Sequence, residues 1–323
     1  MTPAFAITAN GTDVTARFAD RLISITVIDN DGEEADRVEI ELDDRAGKIA
    51  LPEMTAVLEV ALGFAGGLEP MGRFAVDGVS GEGPIQTIRI TAAAADLKGD
   101  IRAPRTRAWE GKTLAQIVTT IAGEAGLKPM TGESVAGAAF GYLAQTAESN
   151  LHFLTRIARG MDATAKPAGG ALIVAKRGEG KAMSGEAIAP PTLNAAGLSS
   201  WSWSLKGRAI YKSAQASWAD TGGGIVHQIV VGEGTPRQIL RHVYGTHAEA
   251  ARAAQAVLSG AARGAMTLST SGAFTPDALA GTAANFTGLR PELCGEWHLK
   301  TVTHTLSSAG LGTAIEAIKG EPQ

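Results

Sequence analysis

Hydrophobic and polar residues alternate with a period of two along much of the N-terminal third of this chain. The clearest case runs from Arg21 to Asp43. Ile23, Ile25 and Val27 alternate with Ser24, Thr26 and Ile28; after a turn-rich segment, Val38, Ile40 and Leu42 alternate with Arg37, Glu39, Glu41 and Asp43. Such alternation in β-branched residues, interrupted by Asn30-Asp31-Gly32, predicts two antiparallel strands joined by a hairpin. The second strand has one apolar and one charged face, so one side of its sheet is core and the other is wet. Ala56, Leu58, Val60 and Leu62 share a further face, Phe74 and Val76 another, and Ile88 and Ile90 a third. About five short strands in this stretch predict a small barrel or sandwich.

The period changes at Trp109. Thr113 with Gln116 forms a capping-box pattern, and Leu114, Ile117, Val118, Ile121, Ala122 and Ala125 recur at helical spacing until Gly126 and Pro129. A second helix is expected over 150–159, with Leu151, Leu154 and Ala158 on one face, Phe153 and Ile157 alongside, and Gly160 at its end. A hairpin follows, with Ala163–Lys166 and Leu172–Val174 joined through Gly169-Gly170. The segment 102–107, with Pro104, reads as a basic connector. From Leu198 the strand signal returns in 201–205, 211–218, 225–231, 266–271, 282–286, 296–306 and 313–318. One helix interrupts it over 247–263, begun by Thr246 and Glu249, with an alanine-rich inner face at Ala250, Ala254 and Ala261. The expectation is a β-rich α+β chain. A β domain spans 1–100, an α/β middle domain 101–178, a linker 179–197, and a second β domain 198–323 contains the helix.

Composition narrows the class. The 323 residues are 45% hydrophobic and 19% charged, with a formal net charge of −4, an ordinary core-forming balance without an electrostatic footprint for nucleic acid. Cys294, the sole cysteine, rules out an intrachain disulfide or a cysteine-clustered zinc site. No apolar run approaches the roughly 20 residues that span a bilayer. The start of the chain has no basic segment followed by an apolar core, so no signal peptide is expected and folding is assigned to a cytoplasm.

Few residues are arranged for chemistry. Glu296, His298 and His304 have even spacings and so are expected on one strand face. However, the two histidines would lie about 20 Å apart on a continuous strand, too far to share an ion. They read as structural positions. His152, His227, His242 and His247 have no ligand-spaced partner. Gly222-Gly223-Gly224 and Gly178-Glu179-Gly180-Lys181 fit neither phosphate-loop pattern and read as turns. Cys294 has no neighbouring base. Glu33, Glu34, Asp36, Asp43 and Asp44 cluster at hairpin ends, where solvation explains them. Trp201 and Trp203 share a face, as do Trp297 and Leu299, and read as core or interface anchors. The expectation is therefore no enzyme, with no catalytic, cofactor-binding or metal-binding residues and no cofactor.

Order-preserving similarity extends along nearly the whole chain. DVTARFADRLISITVIDNDGEEADRVEIELDDRAGKIALPE resembles the opening of the contractile-phage late control D family of tail proteins. Matches continue through TLAQIVTTIAGEAGL, QTAESNLHFLTRIARGMDA, VVGEGTPRQILRHVYGTHAEAARAA and LRPELCGEWHLKTVTHTLSSAGLGTAIEA. That family is similar to baseplate hubs of contractile tails and to the hub part of type VI secretion spike proteins. The resemblance implies a homotrimer with two small antiparallel β-barrels per subunit, forming a ring that joins a sixfold tail tube to a threefold spike. Implied partners are the central spike, tail tube, tape-measure and other baseplate proteins, in a virion or tailocin particle assembled in the host cytoplasm. Secretion spike proteins continue into a β-helical needle; this chain stops at Gln323, so a separate spike polypeptide is expected. Sequence-specific nucleic acid is not an expected partner, and neither is a membrane anchor. A peptidoglycan-binding or lytic tail-associated protein acting on the cell wall is the alternative.

Overall fold

A computed structural model describes residues 2–31, 35–45, 47–95, 101, 103–168, 170–177, 189–205, 211–220, 222–263 and 266–319. The N-terminal segment contains β1 (Pro3–Ala9), β2 (Thr12–Asp13), the short helix α1 (Thr15–Ala19), β3 (Leu22–Asn30), β4 (Arg37–Asp43), β5 (Val57–Phe64), β6 (Gly67–Glu82) and β7 (Thr87–Ala94). β3 and β4 pair antiparallel, with Ile25 opposite Ile40 and Val27 opposite Val38. All four side chains are buried in one cluster with Ile7, Leu62, Phe74 and Ile90. Removing such side chains from water stabilises by about 1.5–3 kcal/mol each, which fixes the register, because a one-residue slip would expose the whole set. The strands of the predicted hairpin are borne out; part of its turn, 32–34, lies outside the described residues.

The middle segment contains β8 (Pro104–Thr113), α2 (Leu114–Ala125), β9 (Lys128–Thr131), α3 (Glu133–Ala136), β10 (Ala139–Ser149), α4 (Asn150–Arg159), β11 (Ala163–Ala168) and β12 (Ala171–Lys176). The Thr113 hydroxyl accepts from the Gln116 amide at 3.4 Å, and the Gln116 side chain accepts from the Thr113 amide at 3.0 Å. Gly126, at φ 68°, ends the helix in the left-handed conformation that favours glycine. The six residues at helical spacing are all buried. Both helices and the β11–β12 hairpin follow the sequence pattern.

The expected basic connector over 102–107 is corrected, because Pro104–Arg107 opens β8, which pairs with β10. Its charges are satisfied laterally. Arg107 pairs with Glu124 at 2.6 Å and covers the Trp109 ring at 4.2 Å. The sequence reading also missed β10, whose exposed, glycine-containing pattern lacks clean alternation.

The C-terminal segment contains β13 (Thr192–Asn194), β14 (Leu198–Leu205), β15 (Ser213–Asp220), β16 (Ile225–Gly232), β17 (Arg237–Tyr244), α5 (His247–Arg263), β18 (Met266–Ala273), β19 (Ala283–Thr287), β20 (Gly295–Ser307) and β21 (Gly310–Lys319). Residues 192–194, expected within a linker, form a strand that pairs parallel with β19. The rest of that expected linker falls largely outside the described residues. β15, β16 and β17, expected within the second β domain, form a three-stranded sheet of their own, apart from the main sheet. Ala250 and Ala254 of α5 pack against Ala214 and Ala216 of β15, all fully buried. Small side chains on both partners bring helix and sheet close, and this pairing draws the three strands into a separate layer.

The remaining strands form one sheet of thirteen, ordered β14-β18-β21-β20-β3-β4-β7-β6-β5-β1-β2, with β13 and β19 attached beside β20. The two ends of the chain meet where β20 pairs antiparallel with β3. Two hydrophobic clusters lie along this sheet. One is built on β3–β7; the other is built around Trp297, Phe286, Leu268 and Leu299. Among the described residues the hydrogen-bonded path is open, running from β14 to β2.

Candidate functional site

β20 carries Glu296, His298 and His304, and a bulge separates the two histidines. Leu299 pairs with Ala317 and Thr301 with Glu316, leaving Lys300 as an extra residue. Such an insertion resets the period-two alternation. Trp297 and Leu299 are buried before the bulge, and Val302, His304 and Leu306 after it. The expectation that Glu296, His298 and His304 share a face is therefore corrected, since His298 and His304 turn to opposite sides. His304 Nδ1 lies 2.9 Å from the Thr313 hydroxyl. Burial pushes its pKa below the ordinary imidazole value, outweighing the opposing pull of Asp29, so the ring is neutral at pH 7. Among the described residues no group of three His, Cys, Asp or Glu side chains could hold a metal ion.

The other candidates are also accounted for by local structure. Gly222–Gly224 lie in the β15–β16 turn, where the Gly224 amide donates to the Asp220 carbonyl at 2.8 Å and the Gly222 amide to the Asp220 carboxylate at 3.0 Å. Gly178-Glu179-Gly180-Lys181 lies outside the described residues. Cys294 is half-buried, with its thiol 3.4 Å from the Leu289 carbonyl. Trp297 is a core residue, its indole donating to the Leu293 carbonyl at 2.8 Å.

Trp201 and Trp203 have a different setting. β14 ends the main sheet and pairs, among the described residues, with β18 alone. Trp201, Trp203 and Leu205 stand opposite Thr270, Leu268 and Met266, which are buried. They therefore continue the core face beyond the last paired strand, yet they are 45%, 40% and 49% exposed. On the other face Ser200 and Ser204 hydrogen-bond to Ser271 and Thr267, at 2.7 Å each. An apolar row at an open strand edge is a surface that folded proteins cover.

A second assembly of residues, invisible in the sequence, joins the middle segment to the main sheet. Lys166 of β11 pairs with Asp29 of β3, and with Asp36 at 2.9 Å. Its ammonium also donates to the Asn30 carbonyl at 2.9 Å, and the Thr164 hydroxyl donates to the Asp31 carbonyl at 2.6 Å. Arg177 reaches the Asp31 carboxylate at 2.6 Å, and His298 Nε2 lies 3.3 Å from the same oxygen. Burial would raise Asp31, but the His298 hydrogen bond and the charges of Arg177 and Lys300 outweigh it and hold its pKa below the usual carboxylate range. Asp36 goes the other way. Burial and the neighbouring Asp29 charge push it up to about 6 against the opposing pull of Lys166. Lys166 is burdened by desolvation, but Asp29 and Asp36 raise it above its ordinary value.

Two acidic residues read as solvated hairpin ends are thus corrected. Asp36 is enclosed in this junction, and Asp44 is buried, accepting from the Lys48 and Ile49 amides at 3.0 and 3.1 Å. No sequence signal marks the junction, because Lys166 and Asp29 are 137 residues apart.

With this geometry in place, comparison with known proteins decides the class. The family model described as phage tail baseplate hub (GPD) matches residues 74–310, nearly three quarters of the chain. The chain belongs to the phage tail baseplate hub (GPD) family. The probable baseplate hub protein of Escherichia phage 186 is 29% identical over 360 residues, covering 98% of this chain and 92% of that protein. The fold also recurs in the 43 kDa tail protein of prophage MuSo2 from Shewanella oneidensis, at a TM-score of 0.73 and 15% identity over 98% of each chain. An Escherichia coli type VI secretion component, described as similar to bacteriophage T4 tail proteins, matches at a TM-score of 0.54 and 12% identity. That match covers 94% of this chain and 76% of that one. Family membership makes the hub chain a structural protein of the phage tail baseplate.

Proposed function

We propose that this baseplate hub protein works as a homotrimeric ring joining the sixfold tube of a contractile tail, in a phage or a tailocin, to a threefold spike. Each subunit contributes two barrel-like units, built on the two hydrophobic clusters of the main sheet. The spike, tube, tape-measure and other baseplate proteins are its partners. The function is mechanical, with no catalytic step.

The observation that carries this reading is the β14 edge. Trp201, Trp203 and Leu205 lie on a core-type face with half their surface uncovered. Strand edges of this kind are quenched when a neighbouring subunit covers them, and a head-to-tail contact closes when the rotation between subunits divides a full turn. An obligate ring of this size buries more than about 2,000 Å² per interface.

Light scattering across a dilution series, alone and with spike and tube proteins, tests the reading. The expected mass is three times the 33.1 kDa chain. A persistent monomer in the presence of both partners would overturn it.

A further inference from the structure

The middle segment (β8–β12 with α2–α4) has its own hydrophobic core, drawn from residues 101–174, and among the described residues no hydrophobic cluster contains members of both that core and the main sheet. What joins the two is polar. Lys166, Thr164 and Arg177 on the middle side meet Asp29, the Asn30 carbonyl, Asp31 and Asp36 on the other, with His298 beside Asp31. The middle segment's other neighbour is α5. There Arg252 donates to the Ala139 carbonyl at 3.1 Å and covers the Phe140 ring, beside a cavity of about 180 Å³ lined by Met161, Ala256 and other side chains of both units.

A contact of this composition behaves differently from an apolar one. Apolar contacts tolerate sliding and weaken gradually, whereas a buried ion cluster is favourable only with every partner in place. Removing one leaves an uncompensated buried charge, so the contact is either closed or open. The surroundings are matched to one closed position. The second oxygen of Asp29 accepts from the Ala280 amide at 2.7 Å, Asp36 accepts from the Asn30 amide at 3.0 Å, and the Asn30 side chain accepts from Thr301 at 3.2 Å. Asp29 and Asp36 thus each accept from a backbone amide on their own side of the contact as well as from Lys166, which orients them as a receptor for it.

We propose that the middle segment is a movable unit held against the main sheet by an ionic latch, with Lys166 and Arg177 as its key and Asp29, Asp31 and Asp36 as its receptor. Closed, the two units move as one body. Open, the middle segment separates from the main sheet while both cores stay folded. The latch is a conformational device built into the subunit and does not depend on the trimer.

Thiol labelling of the full chain tests it. Cys294→Ser removes the native thiol, and Thr164→Cys places a reporter at the contact in place of the hydroxyl that donates to the Asp31 carbonyl, a background shared by every variant compared. Adding Lys166→Met is expected to speed labelling at position 164 on the order of a hundredfold, the cost of leaving two buried carboxylates unmatched. A second reporter, Ala122→Cys, sits in the middle segment's own core and is expected to stay slow. If Lys166→Met does not yield folded protein, Arg177→Gln is read in the same way. Equal labelling at 164 with and without the latch substitution would overturn the proposal. So would parallel acceleration at 164 and 122, because the units would then be unfolding together.

Discussion

Val27 stands opposite His304 where β3 pairs with β20, so residues near the two ends of the chain share one strand boundary in the middle of the main sheet. His304 fills that boundary as a neutral ring against Thr313.

Replacing His304 by asparagine is expected to cost about 1–3 kcal/mol by disturbing a buried hydrogen bond, with no loss of a bound metal. The native protein also carries a pH signature here. The folded-state pKa of His304 is lowered from 6.5, so its contribution is fully present above 6.5 and is lost as pH falls below it, when the unfolded chain gains the proton first. Denaturant titrations on the acid side of 6.5 should show a shallower decline in His304→Asn than in the native chain. Metal analysis of both proteins checks the structural assignment.

Asp36 has the opposite sign. Its folded-state value is raised from 3.8 to about 6, so the folded chain binds the proton more tightly and stability falls as pH rises through that window. Asp36→Asn keeps the acceptor for the Asn30 amide and removes the titration. Its stability relative to the native chain is expected to improve by on the order of 1 kcal/mol or more between pH 4 and pH 7. A difference that does not change with pH would show that Asp36 does not titrate in the closed junction.

α5 offers a packing test. Ala254 is fully buried against Ala214 and Ala216, whereas Gln255 is exposed. Ala254→Leu is expected to cost about 1–3 kcal/mol through overpacking, and Gln255→Leu to stay within about 0.5 kcal/mol. Because α5 packs on strands of its own chain, Ala254→Leu should lower subunit folding directly. Chemical denaturation of the two variants provides the comparison.

The β14 edge should separate assembly from folding. Trp201→Ser with Trp203→Ser removes two half-exposed aromatics, and the subunit's thermal unfolding should change little. Association should weaken, since buried tryptophans commonly contribute 2 kcal/mol or more, roughly thirtyfold, to an interface. Sedimentation of the native and variant proteins across concentration reads the effect.

The periodic elements were legible in the sequence because local rules govern them. Alternation along 21–43 placed β3 and β4, and helical spacing with the Thr113–Gln116 and Thr246–Glu249 caps placed α2 and α5. Ser149 caps α4 in the same local manner. Family resemblance, spread over many short matches, was legible too. The tertiary structure decided what depends on distant partners. β8 was hidden because its arginines are matched by Glu124 rather than by alternating neighbours. The bulge at Lys300 moved His298 and His304 to opposite faces, and a single inserted residue in a ladder leaves no compositional trace. Trp201 and Trp203 followed a clean alternation, but only the strand order shows that their strand is an edge. The junction of Lys166 with Asp29 and Asp36 was the least legible, since charged side chains look alike in sequence whether water or a buried counter-charge faces them. Period reports which side of an element is apolar; which charges meet depends on how the sheet and the middle segment pack.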